Sequence, residues 1–464
     1  MIDFEKLISE YSHCECGKAH ECAIKDIVVE HGATERVGEI LKKNGFPKNL
    51  LLVADKTTLK ASAGVEKSLK DFAVTYYIYD ALRVAKMSDV KIIEDMLENG
   101  IEAVLSVGTG SLNDIARLAC ARKSAPLCLF ATAPSMDGFA SYGAPIVDGN
   151  FKITYSAKCP EVIIADTKIL ANAPAELKSA GFGDMVSKYI ALIDWRVSHL
   201  VKGEEYCEKV AALTRFAVDH VMEMADKITK NNEESAAAVF EGLLLTGIAM
   251  SFTKTSRPGS GTEHIMAHFI ECIELLENKI PDYHGEDVGV TTLIVLKYYK
   301  GLAKLQHPKF QHEKVDWNDV YAAYGALAED VKKINANGTS TDGVIPEFCE
   351  KNWDKIVEII NGVPSAEEVE AAMKKAGCKL TFGQRINSGC PVLDRHQPLI
   401  QLFSPEMNDI GIRNFFRKAM LRHIDRKFVL QMSDSRSDHR PAVLPDHPGK
   451  ESLTPHAAML FARS

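Results

Sequence analysis

Two histidines are the first residues in this sequence whose spacing could do chemistry. In "PGSGTEHIMAHFIE" (258–271), His264 and His268 stand four residues apart, just after a glycine-rich turn. Side chains at this spacing share one face of a helix, so both imidazoles could bind the same metal ion. A zinc-protease motif requires Glu directly after the first histidine, whereas here Glu263 precedes it. The protease interpretation is excluded, and it stays open whether both histidines bind metal.

Two further segments could complete a metal site. "GFGDMVSKY" predicts Asp184 at the start of a helix, where the carboxylate could equally be an N-terminal cap. "PDYHGEDVGV" places His284 before a glycine turn, where a histidine could simply be solvated. We expect Asp184, His264, His268 and His284 at helix ends in one domain. Carboxylate and imidazole ligands together suit zinc, nickel or iron(II).

A glycine turn between a strand and a helix could bind phosphate. In "VLSVGTGSLNDIARL" the turn is Gly108-Thr109-Gly110, and backbone N–H groups at such a helix start can hold a pyrophosphate. Asn113 occupies the third glycine position of the dinucleotide fingerprint, so a plain helix cap is the alternative. Asp55 ends an earlier strand, where it could bind a ribose hydroxyl or act as a turn residue.

A polar loop after another strand is the third candidate. The loop in "FATAPSMDGFASYGAPI" contains four polar side chains: Thr132, Ser135, Asp137 and Ser141. Loops at the carboxyl ends of parallel strands are where α/β folds bind ligands. The alternative is a polar crossover loop without a ligand.

Three of the eleven cysteines cluster near the N-terminus. In "SHCECGKAHECAI" they are Cys14, Cys16 and Cys22, accompanied by His13 and His20. The cluster could be a small zinc or redox site, or reduced thiols in a surface turn that leads into a strand. The Cys-x-x-Cys spacing is missing and no second ligand pair follows, which favours the thiol interpretation.

These residues need a framework, and the sequence predicts one in two parts. Strand and helix patterns alternate in the first third, with strands in "NLLLVAD", "FAVTYYIYD", "IEAVLSVGTG" and "APLCLFATAPS" and helices in "MSDVKIIEDMLENG" and "SLNDIARLACARK". This order predicts a parallel sheet covered by helices. Helical periodicity dominates after about Asp166, in 175–200, 206–228, 233–252 and 287–305, and again in 412–432. We therefore predict an α/β domain at 1–165, a helical domain at 166–436 and a flexible tail at 437–464.

Composition narrows the classes of partner and location. The chain has 464 residues and a net charge of −8, which argues against nucleic acid or an anionic membrane as the main partner. The longest apolar segment, "AAAVFEGLLLTGIAM", contains Glu241, so no transmembrane segment is predicted. The acidic N-terminus is unlike a signal peptide, and we expect a cytoplasmic protein.

In combination, the motifs resemble those of the iron-containing alcohol dehydrogenase and dehydroquinate synthase-like superfamily. Within it, the chain is most similar to the NAD(P)-dependent sn-glycerol-1-phosphate dehydrogenases of bacterial type. The resemblance rests on "VAD", "GTGSLNDI", "TAPSMDGFAS", "GFGDMVSKY", "GSGTEHIMAHF" and "YHGEDVGV", in this order between about Asp26 and Phe382. It implies a Rossmann-like parallel-sheet domain followed by an all-helical domain.

The resemblance also implies roles for individual residues. The metal ligands would be Asp184, His264 and His284. Substrate would contact Asp137, Asp184 and His268, of which Asp184 and His268 would be catalytic. NAD(P) would contact Asp55, Gly108, Gly110, Ser111, Leu112, Asn113, Asp114, Thr132, Ala133, Pro134, Ser135 and Ser141. Lys188 and Arg257 are candidates for binding the substrate phosphate, because they lie near these motifs.

The implied reaction is the metal-dependent reduction of dihydroxyacetone phosphate to sn-glycerol 1-phosphate, as in glycerophospholipid synthesis. The cofactors would be NAD(P) and one divalent metal per subunit, Zn or Ni or Fe, and a homo-oligomer, dimer or larger, is expected. Three alternatives stay open: a glycerol or small-alcohol dehydrogenase, a dehydroquinate-synthase-like lyase, and an inactive nucleotide-binding protein. The sequence tail after Gly383 departs from the family pattern.

Overall fold

The computed structural model describes residues 2–148, 151–312, 317–325, 328–329, 332 and 342–384. The helix predicted at 412–432 and the tail predicted at 437–464 lie outside the described residues. The division into domains therefore stays a prediction.

A six-stranded parallel sheet forms the first part of the chain. Its strands are β1 (Asp26–Glu30), β2 (Asn49–Asp55), β3 (Ala73–Tyr79), β4 (Ala103–Gly108), β5 (Leu127–Ala131) and β8 (Val162–Asp166). Their order is β1-β8-β5-β4-β2-β3. The four predicted strands are β2, β3, β4 and β5, and the parallel sheet is confirmed. Strand β8 was not predicted from the sequence, and β1 was expected only as the strand into which the turn of the cysteine cluster could lead.

Both faces of the sheet are covered, as the near-continuous apolar strands indicate. Along β2, Leu51 and Val53 belong to one buried apolar cluster, whereas Leu50, Leu52 and Ala54 belong to another. Successive side chains of a strand point to opposite faces, so the two clusters lie on opposite sides of the sheet. The helices of this part are α1 (Phe4–Tyr11), α2 (Val37–Lys43), α3 (Lys56–Ala61), α4 (Val65–Ser68), α5 (Met87–Glu98) and α6 (Gly110–Lys123).

A two-stranded antiparallel hairpin departs from the sheet between β5 and β8. It consists of β6 (Gly143–Asp148) and β7 (Phe151–Ser156). The sequence predicted a loop at the start of this segment. The hairpin contributes Lys152 and Thr154 to the wall of a cavity that is also lined by His264, His268 and His284.

After Asp166 the described residues form helices and connecting loops, in agreement with the predicted fold class. The helices are α7 (Thr167–Asn172), α8 (Ala175–Val186), α9 (Lys188–Lys202), α10 (Glu208–Glu223), α11 (Glu233–Thr253), α12 (Thr262–Leu276), α13 (His284–Leu302), α14 (Trp317–Tyr324), α15 (Pro346–Lys351), α16 (Trp353–Asn361) and α17 (Ala366–Lys375).

One described helix, α11, is long and apolar enough to cross a membrane by length and composition. Its most apolar window is 94% buried inside the fold. A helix that is apolar on all sides is expected at the centre of a large core, and α11 packs there against α10 and α8.

Glycines bring α8 and α13 into close contact. A Cβ atom on Gly183 would lie 2.3 Å from the carbonyl oxygen of Gly285, and one on Gly181 would lie 1.8 Å from that of Pro134. Only glycine allows backbones to approach this closely. The contacts place Asp184 of α8 beside both the loop after β5 and the start of α13.

Candidate metal and nucleotide site

Three side chains from three helices converge on one point. Asp184 lies near the end of α8, His264 in the first turn of α12, and His284 at the start of α13. One potential ligand atom from each lies within 4.8 Å of the other two. His264 Nε2 is 3.7 Å from Asp184 Oδ1. One carboxylate and two imidazoles form a donor set that suits a divalent metal such as zinc.

Two glutamates orient the histidines. Glu263 Oε1 lies 2.7 Å from His264 Nδ1, and Glu271 Oε1 lies 2.8 Å from His284 Nδ1. The other oxygen of Glu271 lies 3.0 Å from His268 Nδ1. A carboxylate on Nδ1 fixes the tautomer and leaves the Nε2 lone pair for a metal or a substrate. The chemistry of this donor set therefore fits the expected ion.

The burial of these groups sets the direction of their pKa shifts. Burial lowers the pKa of His264 well below its usual value and also lowers the pKa of His268. Burial also opposes charge on His284, but the contact with Glu271 outweighs it and raises the pKa. Glu271 has a pKa held well below its usual value, because Lys152 and the histidines outweigh its burial. His264 is thus kept neutral, burial raises the pKa of its partner Glu263 well above the usual value, and Glu271 beside His268 and His284 is kept ionised.

Asp137 and Lys188 link the loop after β5 to the metal site. The Asp137 backbone N–H donates to Asp184 Oδ2 at 2.9 Å. Lys188 Nζ donates to Asp184 Oδ1 at 2.7 Å and to Asp137 Oδ2 at 2.8 Å. Burial raises the pKa of Asp137, and the charge on Asp184 adds to this effect. This fully buried lysine holds the two carboxylates in fixed positions.

A cavity of about 270 Å³ connects the histidines to the sheet. Gly110, Ser111 and Asp114 line one part of it, and His264, His268 and His284 line another. The loop after β5 also lines it, among others with Ser135, Asp137 and Ser141. Loops at the carboxyl ends of adjacent strands therefore form one wall and the helical part of the chain forms the other.

The start of α6 is suited to a phosphate group. Thr109 caps the helix, yet its side chain makes no capping hydrogen bond. The N-terminal N–H groups of a 14-residue helix are thereby left for a ligand, and the helix dipole favours an anion there. Gly110 faces the cavity without a side chain to obstruct that approach. These features fit the pyrophosphate of a dinucleotide.

Comparisons with known proteins decide the family. Residues 28–174 match the family model described as iron-containing alcohol dehydrogenase. The chain is 30% identical over 380 residues to glycerol-1-phosphate dehydrogenase [NAD(P)+] of Geobacillus thermodenitrificans (strain NG80-2), covering 80% of this chain and 88% of the relative. The chain belongs to the glycerol-1-phosphate dehydrogenase family.

A second relative agrees with this membership, and a solved structure agrees with the fold. The protein of the same name from Thermococcus sibiricus (strain DSM 12597 / MM 739) is 35% identical over 281 residues, which cover 60% of this chain and 78% of the relative. A putative alcohol dehydrogenase from Ralstonia eutropha JMP134 superposes with a TM-score of 0.55 at 16% identity, covering 88% of this chain and 97% of the other. The expected NAD(P)-linked oxidoreductase family and its fold are confirmed.

The position predicted for Asp184 was wrong. The residue lies two positions before the end of α8 and is not a helix-start cap. Gly181 and Gly183 resemble a turn in the sequence, but they serve close helix packing. His268 likewise lies within α12, six residues after its start, and not at a helix end.

Not all the residues that family resemblance assigns to the cofactor line the cavity. Those outside its lining are Asp55, Gly108, Leu112, Asn113, Thr132, Ala133 and Pro134. Asp55 caps α3, where its Oδ1 accepts from the N–H groups of Thr57 and Thr58. Asn113 accepts a hydrogen bond from Ser106 inside the fold. Their roles toward a cofactor stay predictions.

Several important residues were not found from the sequence. Glu271 and Lys152 are distant along the chain, and their 2.8 Å ion pair becomes visible only in the fold. Glu263 had a weak signal, because it directly precedes His264. Arg257 was a phosphate candidate, but its guanidinium pairs with Glu204 outside the cavity lining.

Proposed function

We propose that the chain interconverts dihydroxyacetone phosphate and sn-glycerol 1-phosphate with NAD(P)(H) at a divalent metal. The observation that carries the proposal is the convergence of Asp184, His264 and His284 on one cavity that also reaches the start of α6. The relatives named glycerol-1-phosphate dehydrogenase [NAD(P)+] support the choice of substrate.

Asp184, His264 and His284 would hold the metal, and the start of α6 would hold the NAD(P) phosphates. A metal held there would supply Lewis-acid polarisation of the substrate C2 oxygen, and a nicotinamide would supply the hydride chemistry at C2. Zinc, nickel and iron(II) all suit these ligands.

His268 would transfer the proton to or from the C2 oxygen of the substrate and would orient the substrate. It faces the cavity, and Glu271 bound at Nδ1 directs Nε2 away from that carboxylate. Burial lowers the pKa of His268, so a proton it receives is readily passed on. Asp137, fixed by Lys188, would accept a hydrogen bond from a substrate hydroxyl group.

Cations in the cavity wall support a phosphorylated substrate over glycerol. Lys152 and Arg83 both belong to the described lining. Lys152 pairs with Glu271, next to His268 and His284. A phosphate is recognised best by such positively charged donors. We assign the substrate phosphate to Lys152.

The test is a steady-state assay of the metal-reconstituted chain. NADH and NADPH oxidation would be followed with dihydroxyacetone phosphate, and NAD⁺ reduction with glycerol, with chiral analysis of the product. We expect sn-glycerol 1-phosphate. Formation of sn-glycerol 3-phosphate, activity on glycerol alone, or no net change in NADH would each contradict the proposal.

Variants separate the metal ligands from the proton carrier. His264→Ala and His284→Ala should lose both bound metal and turnover. His268→Ala should keep the metal and lose turnover. His31→Ala is a matched control, because this exposed histidine contacts Glu233 and not the cavity. Equal metal loss in the His264 and His268 variants would show that the division of roles is wrong. The homo-oligomer stays a prediction, which light scattering checks.

A further inference from the structure

A second group of potential metal ligands forms around the N-terminal cysteines. Cys14, Cys16 and His20, between α1 and β1, meet Cys207, which is the N-cap residue of α10. One ligand atom from each of the four lies within 4.8 Å of all the others. The sequence offered no second ligand pair because the fourth ligand lies 191 positions after Cys16. Cys22, which the sequence grouped with them, is outside this set.

Two distances within the group are close to those of tetrahedral coordination. Cys14 Sγ lies 3.6 Å from Cys207 Sγ, and Cys16 Sγ lies 3.2 Å from His20 Nε2. Ligands at zinc bond lengths in a tetrahedron are separated by about 3.5–3.8 Å. These two pairs need shifts of only a few tenths of an ångström to hold a zinc ion, and the remaining ligand atoms lie within 4.8 Å of one another.

The histidine is already oriented for coordination. Its Nδ1 lies 3.0 Å from the carbonyl oxygen of Phe252, and a carbonyl oxygen can accept a hydrogen bond but cannot donate one. Nδ1 therefore carries the proton, and the lone pair of Nε2 points to the sulfur atoms. Metal-bound histidines typically donate from their other nitrogen to a backbone carbonyl in this way. The His20 side chain is 2% exposed, so it has little access to water.

Positive potential reaches the cysteines from two sources and opposes the burial that raises the pKa of Cys207 to about 12. Cys207 stands at the N-terminus of α10, where the helix dipole stabilises negative charge. Lys209, the second residue of the same helix, has its Nζ 4.4 Å from the ring centroid of Tyr11 at the end of α1. Its positive charge offsets part of the charge of three thiolates. Cys14 and Cys207 are both buried.

We propose that Cys14, Cys16, His20 and Cys207 bind one structural zinc ion. The protein supplies all four ligands, as in structural zinc sites, which lack the open position of a catalytic one. None of the four is among the described residues that line the active-site cavity. Binding releases the thiol protons and changes no oxidation state.

The ion would fasten the N-terminal segment to the helical part of the chain. It would add to hydrogen bonds that already join the two parts, such as Tyr11 Oη donating to the carbonyl oxygen of Lys209 at 3.1 Å and Lys209 Nζ donating to that of Glu10 at 2.9 Å. Metal binding free energy adds directly to folding free energy at such sites. We expect zinc removal to lower the thermal midpoint of the chain.

Cobalt substitution of the full chain under reducing conditions tests the proposal. Thiolate-to-cobalt charge-transfer absorption arises only where cysteine binds the ion, so the active-site metal does not contribute. We expect this absorption at one equivalent per chain. Cys14→Ser and Cys207→Ser should lose it, whereas the matched control Cys22→Ser should keep it. His264→Ala should also keep it, which separates this proposal from the catalytic one.

Several results would overturn the proposal. They are no charge-transfer absorption in the wild-type chain, equal absorption in Cys207→Ser, or a Cys14–Cys207 disulfide in non-reduced peptide maps of freshly purified chain. If the serine variants do not fold, a mercurial thiol reagent is added to wild-type zinc-loaded chain. We expect release of one zinc equivalent as the cysteines react, and release of none would equally contradict the site.

Discussion

Glu271 connects two histidines and a lysine of the candidate site through a single carboxylate. A glutamine at this position keeps one acceptor oxygen and loses the charge. We expect Glu271→Gln to weaken metal affinity by about 10–100-fold, the usual effect of changing a group that orients a metal-binding histidine. Metal titration in a competitive-dye assay measures this. Glu277→Gln, just beyond the end of α12, is the control, and an unchanged affinity in Glu271→Gln would remove the orienting role.

Lys152 provides a test of substrate class at a single residue. Lys152→Met removes the charge of this side chain. The KM of the variant for dihydroxyacetone phosphate should be about 10–100-fold higher, which corresponds to the loss of one charge-assisted hydrogen bond. The KM for unphosphorylated dihydroxyacetone should not change in Lys152→Met. Lys168→Met, an exposed lysine at the start of α7, serves as the control. An equal rise for both substrates would mean that Lys152 does not contact the phosphate.

Asp114 makes stability depend on pH. Burial raises the pKa of this carboxyl to about 6, although Arg117 at 3.2 Å opposes the shift. The folded chain therefore binds the proton more tightly than the unfolded chain, whose pKa is 3.8. Stability from this group falls as pH rises from about 4 to about 6, by up to about 3 kcal/mol.

The Asp114→Asn variant cannot titrate and should lack this pH dependence. Thermal midpoints of the metal-free chain, measured across the same pH range, test the difference between the wild-type chain and the variant. Asp226→Asn changes an exposed aspartate and should follow the wild type. If the thermal midpoints of the wild type and of Asp114→Asn changed equally with pH, the pKa of the Asp114 carboxyl would not be raised in the folded chain.

At the residue scale, the sequence indicated which residues could bind a metal, but it did not indicate which residues contact them. His264 and His284 could be selected as candidates because imidazole is a common metal ligand and both histidines lie in motifs that resemble those of the family. Glu271 and Lys152 could not be selected, since a single glutamate or lysine carries no periodic signal. Asp55 shows the opposite case, because its position after a strand suits both a ribose ligand and the helix cap that it forms.

At the scale of elements, close contact between α8 and α13 positions two of the three proposed metal ligands. A methyl group on Gly183 would collide with the backbone of Gly285 at 2.3 Å. We expect Gly183→Ala to separate the helices and to destabilise the chain by about 1–3 kcal/mol, the usual cost of overpacking. Metal affinity should fall as well, because Asp184 and His284 move apart.

Gly301→Ala, near the end of α13, is the matched control. A Cβ at this position meets no atom within 4 Å, so the substitution should stabilise the helix by up to about 1 kcal/mol. Thermal midpoints and metal titration of the two variants provide the comparison. If Gly183→Ala kept the wild-type metal affinity, the helix contact would not determine the spacing of the ligands.

The hairpin and the break between α8 and α9 were not predicted, for two different physical reasons. The hairpin of β6 and β7 lacks the continuous apolar pattern of a buried strand, because most of its side chains are only partly buried. The helix predicted at 175–200 is interrupted at Ser187, between α8 and α9. Its apolar periodicity continues across this residue, so the pattern alone contains no sign of the break. The buried strands β2, β4 and β5 were predicted because a short, continuous apolar run is typical of a strand inside a parallel sheet.

At the scale of the whole molecule, the cavity joins the sheet to the helical part of the chain. Gly110 and Ser111 come from the start of α6, and the three histidines come from α12 and α13. A ligand that binds the folded chain alone stabilises it by an amount set by its concentration and affinity, about 2.7 kcal/mol at one hundred times the Kd. Metal and NADH should therefore each raise the thermal midpoint.

Two variants should separate these effects. A methyl group on Gly110 meets only Met136, at 3.4 Å, so Gly110→Ala should fold normally. It should obstruct the phosphate approach to α6 and weaken NADH binding by about tenfold, which reduces the shift caused by NADH and not the shift caused by metal. His264→Ala should lose the metal shift and keep the NADH shift. Loss of both shifts in both variants would mean that neither ligand binds without the other, and that the two ends of the cavity act as one site.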